Sequence, residues 1–379
     1  MAVLALNIGS SSLKATLFDR HLKRLSDAEI KDLHSEESEI EARDVKKKCR
    51  IHSDLKKAFS LLMDAIEIEP EKLVAIGHRF IHGGWKYAKS VQIDAKILRE
   101  LESLKELAPL HNPECLAIIQ ASKKQFDEVP QIAVFDTAFH RTLPLPASTY
   151  GLPRRIAQKY HIQRYGFHGI NHAYLASRVK KKKLITLHLG NGCSAAAILN
   201  GKSVETSMGF SPAEGLVMGT RAGDIDFTIL EYLTKAEKKS LKEITHMLNF
   251  ESGLLGVSGK SSDVKKLLEQ KDPACRLAIE VFCHRVVKTV GAYVAVLNGV
   301  DAIAFSGGIG ENAAMVREKI CSRFGYLGLE LASARNRAAI HLKPGEKRPI
   351  HSASSPIEVF AIGADEDSFI AREALSLAR

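Results

Sequence analysis

Residues 3–19 read VLALNIGSSSLKATLFD, and residues 184–200 read LITLHLGNGCSAAAILN. Superposed so that Gly9 falls on Gly190, the two stretches also match Leu4, Leu6 and Ile8 with Ile185, Leu187 and Leu189. In each copy an apolar strand runs into a glycine turn dense in small polar residues, then returns as a second strand. Glycine at such a turn lets backbone N–H groups approach phosphate oxygens that a side chain would hold off. A duplicated hairpin of this kind implies two similar half-molecules gripping one polyphosphate, and hence a nucleotide-dependent phosphotransferase.

Size and composition agree with that reading. A chain of 379 residues exceeds one ordinary core and suits two domains. Its 45% apolar and 26% charged content is that of a soluble globular protein. The net charge of +10 favours anionic ligands, either small phosphorylated metabolites or nucleic acid. The lysine runs at 46–48 and 180–183 have no interleaved aromatics and read as solvated surface, so a metabolite is preferred and no nucleic-acid partner is expected. Six scattered cysteines form neither a CxxC pair nor a zinc spacing, and reduced thiols fit the cytoplasm. The N-terminal apolar run is broken by Asn7 and Gly9, unlike a signal peptide. The apolar stretch 274–298 carries Arg276, Glu280, Arg285 and Lys288, which makes it a buried or interface helix rather than a membrane span.

Short β-rich runs alternate with helical patterns, so the class is α/β. Strands are expected at 3–8, 13–18, 74–78, 132–135, 184–189, 195–199, 302–305 and 359–362. Residues 20–72 are highly charged and at first weakly patterned, until 54–66 place apolar side chains at helical spacing, as 94–107 also do. Proline-marked loops at 109–113 and 144–153 interrupt the helices.

Several groups carry chemistry. Asn7, the serines of the turn Gly9–Ser12 and Lys14 combine an amide, hydroxyls and an ammonium suited to a metal-bound phosphate. The second turn, His188, Leu189, Gly190, Asn191 and Gly192, repeats the arrangement. Residues 307–312, GGIGEN, follow a strand and precede an amphipathic run. They read as a glycine loop that admits a nucleotide at a helix N-terminus, and they match neither a Rossmann nor a Walker A pattern. Arg79 and Arg221 each sit in a glycine-rich segment and offer a permanent fork for carboxylate or phosphate. Asp136 closes an apolar strand, where open α/β sheets place ligands, or else caps the following residues. His111 and His168 are loop histidines that, taken singly, read as structural donors.

Together these segments resemble the acetate kinase family, within the acetate and sugar kinase/heat-shock protein/actin superfamily. The matching stretches are NIGSSSLK, GHRFIHGG, APLHNP, VFDTAFH, YGFHG, HLGNG, SMGFSPAEGLVMGTRAGDID and SGGIGEN, in family order along nearly the whole chain. The resemblance implies a two-domain actin-like ATPase (ribonuclease H-like) fold with duplicated mixed-sheet halves. Residues 1–136 with 368–379 would form one domain and 137–367 the other, with the active site in the cleft between them. It implies ATP as co-substrate and Mg2+ or Mn2+ held at Asn7 and Glu366. Ser10, Ser12, Lys14 and His188–Gly192 would lie at the ATP phosphates. Gly307, Gly308, Ile309, Gly310, Glu311 and Asn312, with Asp263 and Lys265, would lie about the adenosine. Arg79 would bind the substrate carboxylate and Asp136 would be the catalytic acidic residue. Arg221 and His168 would stabilise the phosphoryl group in flight, supported by His111. Ile81, Leu110, Phe167 and Pro212 match the family's small acyl pocket. The family's two-fold assembly implies a homodimer, for which the 274–298 helix is a candidate interface. No membrane partner is expected.

The chain departs from the family pattern at Trp85-Lys86-Tyr87, at Lys265 in place of arginine, at Phe227 in place of proline and at Ala364 in place of threonine. None of these removes a charge from the reacting centre. Phosphoryl transfer needs mainly alignment and charge stabilisation, which two arginines, a metal and oriented N–H groups supply. A carboxylate acceptor is already ionised near neutral pH, so Asp136 is expected to orient or balance charge rather than to remove a proton. The expected reaction is ATP + acetate ⇌ ADP + acetyl phosphate. Propionate is the nearest rival acceptor, and a non-catalytic actin-like nucleotide switch is the rival from another class.

Overall fold

The computed structural model describes residues 1–379 apart from 10, 36, 43, 44, 52, 110 and 379. Ser10 and Leu110 of the expected site thus lie outside the described residues. The chain divides into two compact units, Met1–Phe139 with Asp365–Arg379, and His140–Ala364.

The first unit is built on strands β1 (Ala2–Ile8), β2 (Ser12–Asp19), β3 (Arg24–Lys31), β4 (Ser38–Ala42), β5 (Val45–Cys49), β6 (Leu73–Phe80), β7 (Val91–Gln92) and β8 (Gln131–Phe135). They form one mixed sheet in the order β5-β4-β3-β2-β1-β6-β8-β7. β1 runs antiparallel to β2 and parallel to β6, which runs parallel to β8. β1 and β8 are buried almost throughout, as strands covered on both faces must be. The C-terminal helix Glu366–Leu377 packs on β1, β6 and β8, and a Cβ on Gly77 would collide with Ile370, so glycine sets that close approach.

The second unit holds β9 (Lys183–Leu189), β10 (Cys193–Leu199), β11 (Lys202–Thr206), β12 (Ala302–Ser306), β13 (Lys347–Pro349) and β14 (Glu358–Ile362), in the order β11-β10-β9-β12-β14-β13. Its core repeats that of the first unit. The series β3-β2-β1-β6-β8 and β11-β10-β9-β12-β14 share strand order and direction, with an antiparallel meander followed by two parallel additions. This is a duplicated mixed-sheet arrangement, the two similar halves that the repeated hairpin implied. The two hairpins differ in one respect. Four residues separate the paired Ile8 and Leu13, whereas three separate Leu189 and Cys193.

All eight expected strands are present, and the structure adds what charge had masked. The start of the charged, weakly patterned segment 20–72 contributes β3, β4 and β5. Lys46 and Lys48 of the first lysine run lie on the edge strand β5 opposite Glu41 and Glu39 of β4, with Lys46–Glu41 at 3.3 Å and Lys48–Glu37 at 2.7 Å. Opposite charges across strands stabilise the pair, and a lysine-rich edge discourages further strand addition. The 274–298 stretch is the helix Pro273–Val296. It buries Phe282, Val286, Val290 and Val294 against the unit's own core, and no helix of the described residues is long and apolar enough to cross a membrane.

Candidate active site

In the first unit three neighbouring parallel strands deliver polar side chains at their carboxyl ends. Asn7 lies on β1 and Arg79 on β6, within the strand rather than past it as the sequence reading had placed it. Asp136 follows β8 directly, its N–H held by the Phe80 carbonyl at 3.0 Å. Arg79 directs Nε and Nη2 to Asp136 Oδ2 at 3.0 and 2.5 Å, and Nη1 donates to Asn7 Oδ1 at 3.1 Å. Its Nη1 is also 3.5 Å from Glu366 Oε2. Burial opposes the Arg79 charge, but the carboxylates of Asp136 and Glu366 outweigh it and hold the guanidinium firmly protonated.

Asn7 donates in turn to Glu366 Oε2 at 3.2 Å and to Asp367 Oδ1 at 3.1 Å. Asp367 is fully involved, accepting from Thr16 Oγ1 at 2.9 Å and pairing with Lys14 Nζ at 3.0 Å. Burial would raise its carboxyl, yet Lys14 and the Asn7 amide bring it below the ordinary aspartate value. Lys14 itself is lifted above the ordinary lysine value, the Asp367 charge overcoming burial. Arg24 of β3 completes the cluster with Asp365 at 3.0 Å and Asp367 at 3.8 Å. Sequence reading missed Asp367, Asp365 and Arg24. The run of acids at 365–367 was the available signal, whereas Arg24 lay in the segment that charge had made illegible.

Asn7, Glu366 and Asp367 form an oxygen donor set that fits a hard divalent cation. Mg2+ keeps several waters and takes one or two carboxylates alongside substrate phosphates rather than a full protein cage. Among the described residues no group of three His, Cys, Asp or Glu is placed to hold a metal ion.

Ile81, expected at the acyl pocket, is buried immediately after β6. His111 precedes the helix Asn112–Gln125, whose Asn112 side chain bonds the His82 backbone at both N–H and C=O. Ser12 opens β2, and its carbonyl accepts the Gly9 N–H at 2.8 Å, closing the first turn.

In the second unit several of the expected site residues gather around the turn that follows β9. His168 takes a left-handed backbone conformation (φ 55°) before the helix Gly169–Val179, unusual for a non-glycine residue and typical of functional sites. Its ring lies 4.1 Å, centroid to centroid, from that of His188. A Cβ on Gly192 would stand 3.4 Å from His168 Nε2 and 3.8 Å from Arg221 Nη1, so these three positions converge. Arg221 Nη1 donates to the carbonyl of Pro212, one of the residues expected at the acyl pocket, at 3.2 Å. Phe167, another of them, is buried. Asn191 is pinned against Gly219, whose N–H donates to the Asn191 carbonyl at 3.0 Å. A Cβ on Gly219 would overlap the Asn191 side chain at 2.2 Å.

Beside this turn opens a cavity of about 750 Å³, the size of a nucleoside site. It gathers Gly190, Asn191, Asp263, Lys265, Gly308, Ile309 and Asn312 from the expected nucleotide residues. Val264, Leu268, Ala313 and Ile340 add an apolar wall, and His341 adds a polar edge. These last positions escaped sequence reading because they belong to separate helices and loops with no shared motif. Asp263 also caps its own helix, accepting the Lys265 N–H at 2.8 Å.

The segment Gly307–Asn312 corrects the sequence reading. It is a short helix and not a loop. Gly307 starts it at φ 79°, where a Cβ would fall 2.7 Å from the Leu189 carbonyl oxygen. Glu311 and Gly310 face away from the cavity. Glu311 Oε1 accepts the N–H groups of Gly307 at 2.9 Å and Ala364 at 3.0 Å. Arg317, fully buried, donates Nη1 to the carbonyls of Gly310 and Glu311 at 2.8 Å each and Nη2 to those of Asn336 and Ala339. Burial pulls its guanidinium down to about 10.

Comparison with known proteins agrees with this geometry. Residues 2–372 match the model of the acetokinase family. The chain is 41% identical to an acetate kinase of Clostridium novyi (strain NT), across 98% of this chain and 97% of that one. Its structure superposes on a propionate kinase from Francisella tularensis subsp. tularensis SCHU S4 with a TM-score of 0.90 at 39% identity, covering 99% of both chains. An acetate kinase from Porphyromonas gingivalis gives a TM-score of 0.89 at 34% identity over the whole of both chains. With the strand order, the gathered site residues and the full-length match all in accord, the chain belongs to the acetokinase family.

Proposed function

We propose that the chain is an acetate kinase, a phosphotransferase with a carboxyl acceptor. It passes the terminal phosphoryl group reversibly from ATP to acetate by direct in-line transfer. The observation that carries this reading is the pair of guanidinium sites, Arg79 locked to Asp136 and Arg221 facing His168 and Gly192. A nucleotide switch would need only the 750 Å³ cavity and no apparatus for a carboxylate.

In this reading Arg79 binds the acetate carboxylate, and Asp136 fixes the guanidinium plane so that the fork meets its ligand in one orientation. Arg221 and His168 present positive charge and an N–H donor where negative charge builds on the transferred group. His111 supports them. The turn His188–Gly192, together with Ser10, Ser12 and Lys14, holds the ATP phosphates. The Gly307–Asn312 helix with Asp263 and Lys265 holds the adenosine. Asn7 and Glu366 would hold Mg2+ or Mn2+, with Asp367 behind them, and the bound cation would offset phosphate charge. In this reading the acyl group is assigned to Ile81, Leu110, Phe167 and Pro212.

A second acceptor, propionate, is favoured by the likeness to the Francisella propionate kinase. One methylene is worth only about 1–3 kcal/mol in such a pocket. A homodimer in the cytoplasm completes the reading. The solvent-facing Phe227, Tyr232 and Leu241 are apolar surface that self-association would cover.

The test is to incubate the purified protein with MgATP and either acetate or propionate and trap acyl phosphate with hydroxylamine. Hydroxamate should form with both acids, with the higher kcat/KM for acetate. No hydroxamate with any short-chain acid would remove the proposal.

A further inference from the structure

Behind His168 runs a buried chain of side-chain hydrogen bonds that the reaction scheme above does not use. Thr186 Oγ1 lies 2.7 Å from His172 Nδ1, His172 Nε2 lies 2.8 Å from Ser194 Oγ, and Ser194 Oγ lies 2.9 Å from His168 Nδ1. Thr186, His172 and Ser194 are completely buried. Thr186 sits on β9, Ser194 on β10 opposite His188, and His172 one turn into the helix that His168 begins. Burial, reinforced by His140 and His188 nearby, drives the His172 ring well below the ordinary histidine value, so it is neutral and carries one N–H.

Three polarities satisfy the three distances, because the Ser194 oxygen can accept twice. If both His172 Nε2–H and His168 Nδ1–H donated to it, the Ser194 hydroxyl hydrogen would have no acceptor among the described residues. If the protons ran from His168 towards Thr186, His172 would donate to Thr186 Oγ1, and the threonine hydroxyl would need a further acceptor. Among the described residues its hydroxyl has no hydrogen-bond partner besides His172. A buried hydroxyl hydrogen without an acceptor is costly. In the opposite polarity the Thr186 hydroxyl donates to His172 Nδ1, His172 Nε2–H donates to Ser194, and the Ser194 hydroxyl donates to His168 Nδ1. Every donor then has an acceptor.

We propose that Thr186, His172 and Ser194 are positioning residues that fix the tautomer of His168, placing its proton on Nε2. That nitrogen is the one beside Gly192 and Arg221. The ring then carries its N–H on the side of Gly192 and Arg221, and protonating Nδ1 would cost either the Ser194 or the Thr186 hydroxyl its acceptor. The catalytic use of that donor rests on the proposed function; the tautomer itself does not.

The test uses the full-length protein labelled with 15N-histidine, without substrates, at a pH where the His168 ring is neutral. Long-range 1H–15N spectra assign its resonances by comparison with His168→Gln. An unprotonated-type Nδ1 with a protonated Nε2 is expected, and the reverse pattern overturns the proposal. In Ser194→Ala the two tautomers should mix, with kcat lower by about tenfold and KM for both substrates little changed, as befits loss of one orienting hydrogen bond. A single unchanged tautomer and unchanged kcat in that variant would also overturn it. Because the wild-type spectrum needs no turnover, failure of the tautomer and failure of acyl phosphate formation are separate results.

Discussion

Arg79 aims both Nε and Nη2 at one oxygen of Asp136, Oδ2, leaving Nη1 to Asn7 and Glu366. The arginine side chain is 12% exposed and the aspartate 1%, so neither charge is compensated by water. Removing one partner strands the other. Asp136→Ala should therefore destabilise the protein by about 3–5 kcal/mol in urea unfolding. Asp136→Asn, which keeps the shape and one acceptor, should unfold closer to wild type while still losing most of kcat. Equal stability of wild type and Asp136→Ala would contradict a tightly coupled pair.

The Lys14–Asp367 pair makes stability depend on pH at both ends. Asp367 titrates below its unfolded value of 3.8 in the folded protein, so its contribution is present above that pH and disappears as pH falls through the folded value. Lys14 titrates above 10.5, so its contribution is present below that pH and disappears as pH rises through the folded value. Asp367→Asn should be less stable than wild type near neutrality, with the gap closing in acid below 3.8. Thermal unfolding across the acid range measures this. A gap that persists there would place the effect in packing rather than charge.

Gly190 separates protein sterics from ligand sterics. A Cβ there would come no closer than 3.6 Å to any protein atom beyond its chain neighbours, so Gly190→Ala should unfold like wild type. The same methyl would stand in the space where phosphate oxygens approach the turn, and KM for ATP should rise at least about tenfold. Unchanged nucleotide affinity would show that the turn does not meet the phosphates.

Arg317 spends its charge on carbonyl oxygens and the Asn336 amide, with no carboxylate among its hydrogen-bond partners in the described residues. Lysine has neither the fork nor the reach to replace it. Arg317→Lys should cost on the order of 3 kcal/mol by leaving several buried carbonyls without donors. It should also weaken nucleotide binding, since the Gly307–Asn312 helix is what those bonds hold. Calorimetric binding of ADP and urea unfolding, measured together, check both effects.

The duplicated hairpins were legible because burial on both faces forces near-continuous apolar runs, and a glycine turn between two such runs has few other readings. The meander beyond β2 was not legible. β4 and β5 carry SEIEA and VKKKC, whose strand character comes from cross-strand Glu–Lys pairing instead of an apolar period. GGIGEN was read as a loop because glycine is a poor helix former. The six residues are helical since Glu311 and Arg317 satisfy both ends of the turn, and those bonds come from the surrounding fold. In the site, Asn7, Arg79, Asp136 and the 188–192 turn announce themselves at strand ends. Thr186, His172 and Ser194 do not, because their partnership is made by a helix and two strands brought together in space.

In the proposed reaction the phosphoryl group of ATP ends on a carboxylate. The 31P spectrum of MgATP and acetate incubated with the purified protein follows that transfer. The γ-phosphate resonance should be replaced by that of acetyl phosphate in step with ADP, and adding acetyl phosphate to ADP should reverse the change. Release of inorganic phosphate alone, with no acetyl phosphate in either direction, would contradict it.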